Sequence, residues 1–424
     1  MIEAKAKLAI DSALYSQLEG REISSNDPVI QGRIDEAKYA LSQLPFPSRK
    51  DEKWKYTRVN KLVKSTFTEG QSDQHDQIQI PGLDAITLNL YNGKFDAAAL
   101  STLSELGITV HTLAQALEFE SDCLRANWSK WVDYKNDVFT ALNMLYTDFG
   151  LVMDVPKNTK IERPIHLVYW QDGGIAQYRN LVHVNAGAEI ELVETFRNSS
   201  EEASYISRVM ETVVEENAQL ELTSFQEMNQ DSFLLTEVGG VQHSNSRMTL
   251  NTFSVSGGWI RNDIGIDLAG LNIECNLNGA YMPVGSEHVD NHTVVDHQEP
   301  HCESNELYKG ILSDKSTGVF NGKVYVREDA QKTNAYQQNA NILMSDDAAM
   351  NSKPELEIYA DDVKCSHGST TGQFDQDALY YLKTRGISDA KAKKMLVKAF
   401  LSEVIENIGN EDLQEYAQQR MNRE

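Results

Sequence analysis

The pattern of apolar and polar positions changes character twice along the chain. Up to about residue 150, apolar residues recur at helical spacing. Ile10, Leu14 and Leu18 form one run, and Ile34, Ala37, Leu41 and Leu44 a second that Pro45 and Pro47 close. From about 151 to 372 the helical period gives way to two-residue alternation. Residues 189–193, 219–223 and 247–251 each place every second side chain on one face, as half-buried strands do. Small or turn-prone stretches precede these three strands (Asn185, Ala186 and Gly187; Glu216 and Asn217; Ser244 and Asn245), and Gly270, Leu271 and Asn272 precede a fourth that begins at Ile273. From about 373 to 424 the pattern is helical again. Asp375 can cap a helix through Leu382 that Gly386 ends, and Ser388 can cap the next. Along that second helix Leu396, Val397, Phe400, Leu401, Val404, Ile405 and Ile408 form an apolar stripe. Either the β region or another subunit can bury it. The predicted organisation is a helical region over 1–150, a β core over 151–372 and a helical region over 373–424.

Lining up Ile190, Leu220, Met248 and Ile273 gives steps of 30, 28 and 25 residues. A loose repeat of that length fits a solenoid whose coils each hold two or three short strands. In a solenoid the rest of each coil serves as the crossover that parallel strands need. A single sandwich or barrel is disfavoured, because such a domain seldom exceeds ~250 residues.

Composition narrows the function classes. Hydrophobic residues make up 41% of the 424, within the globular range. No run approaches the roughly 18 apolar residues of a membrane span. The first twenty residues carry Glu3 and Asp11 and have no unbroken apolar stretch, so a secretory signal is not expected and the chain is placed in the cytoplasm. The net charge of −24 repels phosphate backbones. The basic, aromatic segment 47–57 (PSRKDEKWKYT) is therefore read as a loop anchoring Trp54 in the core, not as a nucleic-acid patch. Cys123, Cys275, Cys302 and Cys365 form no CxxC pair, which argues against a zinc ribbon, a thioredoxin motif, a resident four-thiolate cluster and a disulfide framework.

Two clusters could carry chemistry. Residues 288–302 hold His288, His292, His297, His301 and Cys302 among acids. On a strand His288 and His292 would share a face, as would His297 and His301. The spacing matches no closed metal motif, and polar side chains bonded to adjacent coils are the favoured reading. His297, His301 and Cys302 stand as subsidiary iron or zinc candidates. In the second cluster Cys365 and His367 point the same way along a strand. They could share a metal or sulfur species, or be a core thiol and a satisfied histidine, and spacing alone favours the latter. There is no phosphate loop, nucleophile elbow or HExxH helix, so the usual marks of an enzyme acting alone are missing.

Residues 354–368 (PELEIYADDVKCSHG), 305–311 (NELYKGI), 319–323 (VFNGK), 47–57 and 380–387 (YYLKTRGI) resemble the SufB/SufD family of iron–sulfur cluster assembly scaffolds, in its SufD branch. The resemblance spans nearly the whole chain. It implies a mainly β protein, a right-handed parallel β-helix flanked by N- and C-terminal helical regions, and a scaffold subunit without catalytic residues. It implies the paralogue SufB and the ABC-type ATPase SufC as partners, with sulfur supplied by a cysteine desulfurase system and no role for nucleic acid or membrane. A homodimer of the isolated subunit stays open. No cofactor is expected to be held stably by this chain alone; a nascent cluster or iron would be shared transiently with SufB. The resemblance places His367 at the SufB interface, with Cys365 beside it. It assigns SufC docking to the C-terminal helices, and hence to Leu382, Leu396, Phe400 and Val404. The SufB branch carries a functional cysteine at the position of Ala348 and a glutamate at that of His367, and this chain has neither. The alternatives are a SufB-like paralogue and a β-helix carbohydrate-active enzyme or acyltransferase. The latter two lack support in a secretion signal or a six-residue period.

Overall fold

A computed structural model describes residues 8–70, 78–92, 94–95, 98–119 and 121–422. Residues 1–7, with Glu3 of the terminal segment, lie outside the described residues. Successive strands alternate between two long sheets. The first sheet receives Ile165–Trp170, Glu189–Arg197, Gln219–Glu227, Arg247–Ser256, Glu274–Tyr281, Glu303–Leu312, Asn334–Leu343 and Lys364–Gly372 in that order. The strands between them, from Ile175–Val184 to Ala349–Ile358, stack in the second. All of these pairings are parallel. The result is a parallel β-solenoid of about eight turns with helices at both ends of the chain.

The sequence repeat is the hydrogen-bond register. Ile190 pairs with Leu220, and Leu220 with Met248. Met248 then pairs with Cys275, not with Ile273. Residues 273 and 275 have the same parity and both are buried, so alternation cannot choose between them; the ladder does. The turn-prone stretches form one corner of the coil. Asn158, Gly187, Asn217, Asn245, Asn272, His301 and Lys332 recur there with φ between 55° and 69°. Glycine and asparagine tolerate this left-handed conformation best. The Asn158, Gly187, Asn217 and His301 N–H groups each donate to a carbonyl of the next coil at 2.9–3.0 Å.

The N-terminal region is less purely helical than its periodicity suggests. Ile86–Tyr91 extends the first sheet in parallel, and Thr109–Thr112 pairs antiparallel with Leu151–Val155 of the second. Added strands thus cover the first coil. The helix Pro28–Leu41 forms as expected, capped by Asp27. The Ile10 to Leu18 run does not form one helix. Ser12 caps a new four-residue helix, Ala13–Ser16, so Leu14 and Leu18 are buried while Ile10 is 36% exposed.

Trp54 anchors the segment 47–57 against the solenoid, as expected. Its ring lies 3.8 Å from the Arg261 guanidinium and stacks on Trp259. Thr57 Oγ1 bonds His288 Nε2 at 2.9 Å and donates to Asp290. At the other terminus Asp375 and Ser388 cap Gln376–Thr384 and Asp389–Ile405. Leu401, Val404, Ile405 and Ile408 are buried with Phe225, Phe253, Ala280 and Ile311 on the outer face of the first sheet. The C-terminal half of the apolar stripe therefore holds the helix to the β core. Among the described residues no helix is long and apolar enough to cross a membrane.

Candidate functional site at the open end of the solenoid

Side chains of alternate residues enter the solenoid and stack from coil to coil. One inward ladder runs Met248, Cys275, Ser304, Ala335, Cys365. The next runs Leu192, Leu222, Leu250, Leu277, and then Glu306, Gln337 and His367. Its last three rungs are polar, and they lead to the end of the stack. There Ala349–Ile358 and Lys364–Gly372 are the terminal strands of their sheets. Residues 366–372 are exposed although they are β-strand, because no further coil covers them.

The two free edges differ. The Lys364 N–H donates inward to Thr333 O at 2.8 Å. Backbone groups alternate along a strand, so the N–H groups of Cys365, His367 and Ser369 face the open edge. In the other sheet the Ala349 N–H donates inward to Ser316 O at 3.0 Å. Outward positions there include Pro354, which has no N–H, in keeping with the confinement of strand prolines to edges. The Lys364–Gly372 edge is thus the better template for another strand. Ser369 Oγ donates to Ser352 Oγ at 2.7 Å and ties the two terminal strands together.

His367 is exposed at the mouth of the polar ladder. Cys365 is half-buried and packs with Val324, Ala335 and Leu356, and burial pushes its thiol pKa up. Deeper in, Glu306 Oε2 accepts from Thr293 Oγ1 at 2.5 Å. Burial raises the Glu306 carboxyl from 4.5 to about 7, against the hydrogen bonds. A carboxyl raised in the folded state stabilises the fold fully below its unfolded pKa. That contribution is lost as pH rises from about 4.5 through about 7. Glu306→Gln mimics the protonated form, so its thermal midpoint should exceed that of the wild type at pH 8, by about 1–3 kcal/mol in stability, and converge on it at pH 5. Melting curves at the two pH values check this, and no gain at pH 8 would contradict it.

The subsidiary metal candidates are not gathered together. His297 points inward, bonds Ser304 Oγ through Nε2 at 2.9 Å, and burial pushes its pKa down to about 4. His301 sits at the left-handed corner outside any strand, so it does not share a face with His297. The Cys302 thiol is buried and donates to Gly270 O at 3.1 Å. His288 and His292 do lie outward, where His292 Nε2 is 2.9 Å from Asp290 Oδ1. They belong to the polar seat of the Trp54 loop: His288 bonds Thr57 of that loop and His292 bonds Asp290 of its own strand, so their partners are not the adjacent coils that the sequence reading favoured.

Of the C-terminal residues, Val404 is fully buried. Phe400 is half-buried, with Lys309 Nζ 4.8 Å from its ring centre and bonded to its carbonyl at 2.9 Å. Leu382 and Leu396 are half-buried. The exposed apolar surface of these helices is instead Tyr380 (70%), Tyr381 (56%) and Met395 (44%). The adjacent aromatic pair Tyr380 and Tyr381 on the helix Gln376–Thr384 was the available signal for it.

Residues 12–167 match the family described as the SufBD protein N-terminal region, and residues 168–400 match the SufBD core domain of SUF system FeS cluster assembly. This chain belongs to the SufB/SufD family. It is 30% identical to the iron–sulfur cluster assembly protein SufD of Escherichia coli, over 90% of this chain and 91% of that protein. It is 31% identical to the chloroplastic protein ABCI7 of Arabidopsis thaliana, over 93% and 86%. Identity to the SufB protein of Bacillus subtilis is 24%, over 84% and 76%. The chain is thus an iron–sulfur cluster assembly protein of the SUF system, nearer to SufD than to that SufB, and the polar open end belongs to a scaffold family.

Proposed function

We propose that this chain is the SufD-type scaffold subunit of a SUF assembly complex and pairs with a SufB-type paralogue through the open end of its solenoid. The observation that carries the reading is the asymmetry of the stack. Added strands cover its first coil, while its last coil exposes two edge strands and a polar interior ladder ending in His367. Exposed edges of this length are normally blunted or covered, and a repeat stack needs a cap. A paralogous solenoid would bring a matching spacing between its sheets.

At such a junction His367 would offer a neutral imidazole to iron, and a thiolate or carboxylate from the partner would complete the site. A site divided between two chains holds its cluster only while they are joined, which suits a scaffold that passes its product on. Tyr380, Tyr381 and Met395 offer a docking face for the SufC ATPase on the C-terminal helices. Phe400 and Val404 act behind it by holding the helix to the solenoid. No catalytic role is assigned to the chain.

His367→Ala should leave the fold and the complex intact while lowering cluster formation in cells severalfold. Cys365→Ala should do less, because its thiol packs against aliphatic neighbours. Growth dependent on cluster supply and the iron content of the purified complex read this out. Wild-type cluster yield from an assembled His367→Ala complex would remove His367 from the mechanism.

A further inference from the structure

At the opposite end of the solenoid from His367, three metal-ligating side chains converge where the helical region meets the β core. Cys123 is the second residue of the helix Asp122–Asn127. Asp154 and His183 are register partners on adjacent parallel strands. His183 Nδ1 lies 2.9 Å from Asp154 Oδ1 and 3.9 Å from Cys123 Sγ. The three donor atoms all fall within 4.8 Å of one another, and all three residues are half-buried. Among the described residues no other histidine, cysteine or carboxylate group gathers in this way. Six rungs of the second sheet, roughly 30 Å at the spacing of β-strands, separate His183 from the terminal coil.

We infer that Cys123, Asp154 and His183 form a binding site for a divalent transition metal of the Zn2+ or Fe2+ type. The separations suit it. In a tetrahedral site with metal–sulfur bonds of about 2.3 Å and metal–nitrogen or –oxygen bonds of about 2.0–2.1 Å, donor atoms lie roughly 3.3–3.6 Å apart. Shifts of a few tenths of an ångström bring both separations from His183 Nδ1 into this range, and the Cys123 and Asp154 donor atoms lie within 4.8 Å of each other. The surrounding groups also suit it. His183 Nε2, the nitrogen turned away from the thiol, lies 3.3 Å from Glu215 Oε1. A carboxylate accepting from the far ring nitrogen is the usual support of a metal-bound imidazole, fixing its tautomer and orientation. Asn185 Nδ2 donates to Asp154 Oδ1 at 2.6 Å and holds the carboxylate in place, using one lone pair of that oxygen and leaving the other for a ligand. A thiolate, a carboxylate and a neutral imidazole balance a dication. The mixture of soft and borderline donors selects zinc or iron over magnesium or calcium. Three protein ligands leave a fourth position for water.

Cobalt(II), added to the full-length chain stripped of metal, reports directly on the thiolate. One equivalent is expected to produce a sulfur-to-cobalt charge-transfer band that Zn2+ abolishes. Cys123→Ser should remove the band, and Asp154→Asn should weaken cobalt affinity at least tenfold. Cys365→Ser, which alters the half-buried thiol at the open end, should leave both unchanged. These outcomes separate this site from the proposed role of the open end. Absence of a band in the wild type, or a band that survives Cys123→Ser in a variant with native circular dichroism, would overturn the assignment and leave an ion-paired histidine beside a bystander thiol.

Discussion

Replacing Glu211 by alanine is expected to destabilise the protein by about 3–5 kcal/mol, the range found when one partner of a buried ion pair is removed. Glu211 Oε1 and Arg179 Nη2 are 2.9 Å apart, and both side chains are fully buried. The same carboxylate accepts the N–H groups of Ser129, Lys130 and Trp131 at 2.7, 2.9 and 3.2 Å. Arg179 also donates to Ser129 Oγ at 3.0 Å and lies over the Trp128 ring. Glu211 thus sits on the solenoid and holds the loop of the helical region that packs on it. Alanine would leave a guanidinium and three amides without their acceptor in a site that water does not reach. The exposed pair Lys61 and Asp231, 3.5 Å apart, is a control. Asp231→Ala should cost less than about 0.5 kcal/mol, since solvent screens it. Urea midpoints followed by tryptophan fluorescence compare the two, and equal small losses would show that Glu211 does not clamp the region.

Ser369→Pro should weaken pairing with a SufB-type partner at least tenfold while the chain stays folded. The Ser369 N–H faces the open edge, so proline there removes a donor from the free side of Lys364–Gly372 and leaves the bonds to Asn334–Leu343 in place. The one internal loss is the 2.7 Å bond to Ser352, which lies at the surface. Ser366→Pro, one position out of phase, removes a donor on the inner side of the strand, so the terminal strand should fray and circular dichroism should fall. A folded Ser369→Pro chain that pairs with wild-type affinity would show that the edge backbone is not the join.

Much of this architecture is written in local pattern. Alternation around Ile190, Leu220 and Met248 and the asparagine and glycine residues at the corner announce both the strand and the coil length. What alternation cannot supply is register. Ile273 and Cys275 look equivalent until the ladder is drawn, and only the ladder puts Cys365 and His367 in line with Cys275 and Leu277. The polar turn of the interior was visible as Glu306 in the segment 305–311. A glutamate in an alternating strand reads as solvent-facing, however, so its burial was missed. His301 was misplaced because a histidine at a left-handed corner carries no mark that distinguishes it from one in a strand. The strand Ile86–Tyr91 escaped because it is isolated among helices. The cluster of Cys123, Asp154 and His183 joins residues 29 to 60 positions apart, and no spacing rule connects them.

Hydrogen exchange of the wild-type chain, alone and with its SufB-type paralogue, tests the central claim most directly. Residues 364–372 should exchange quickly in the free chain at the outward amides of Cys365, His367 and Ser369, and slow by at least tenfold in the complex. Strands in the middle of the stack, such as Arg247–Ser256, should not change. Protection that appears elsewhere on the surface while residues 364–372 exchange as in the free chain would contradict pairing through the open end.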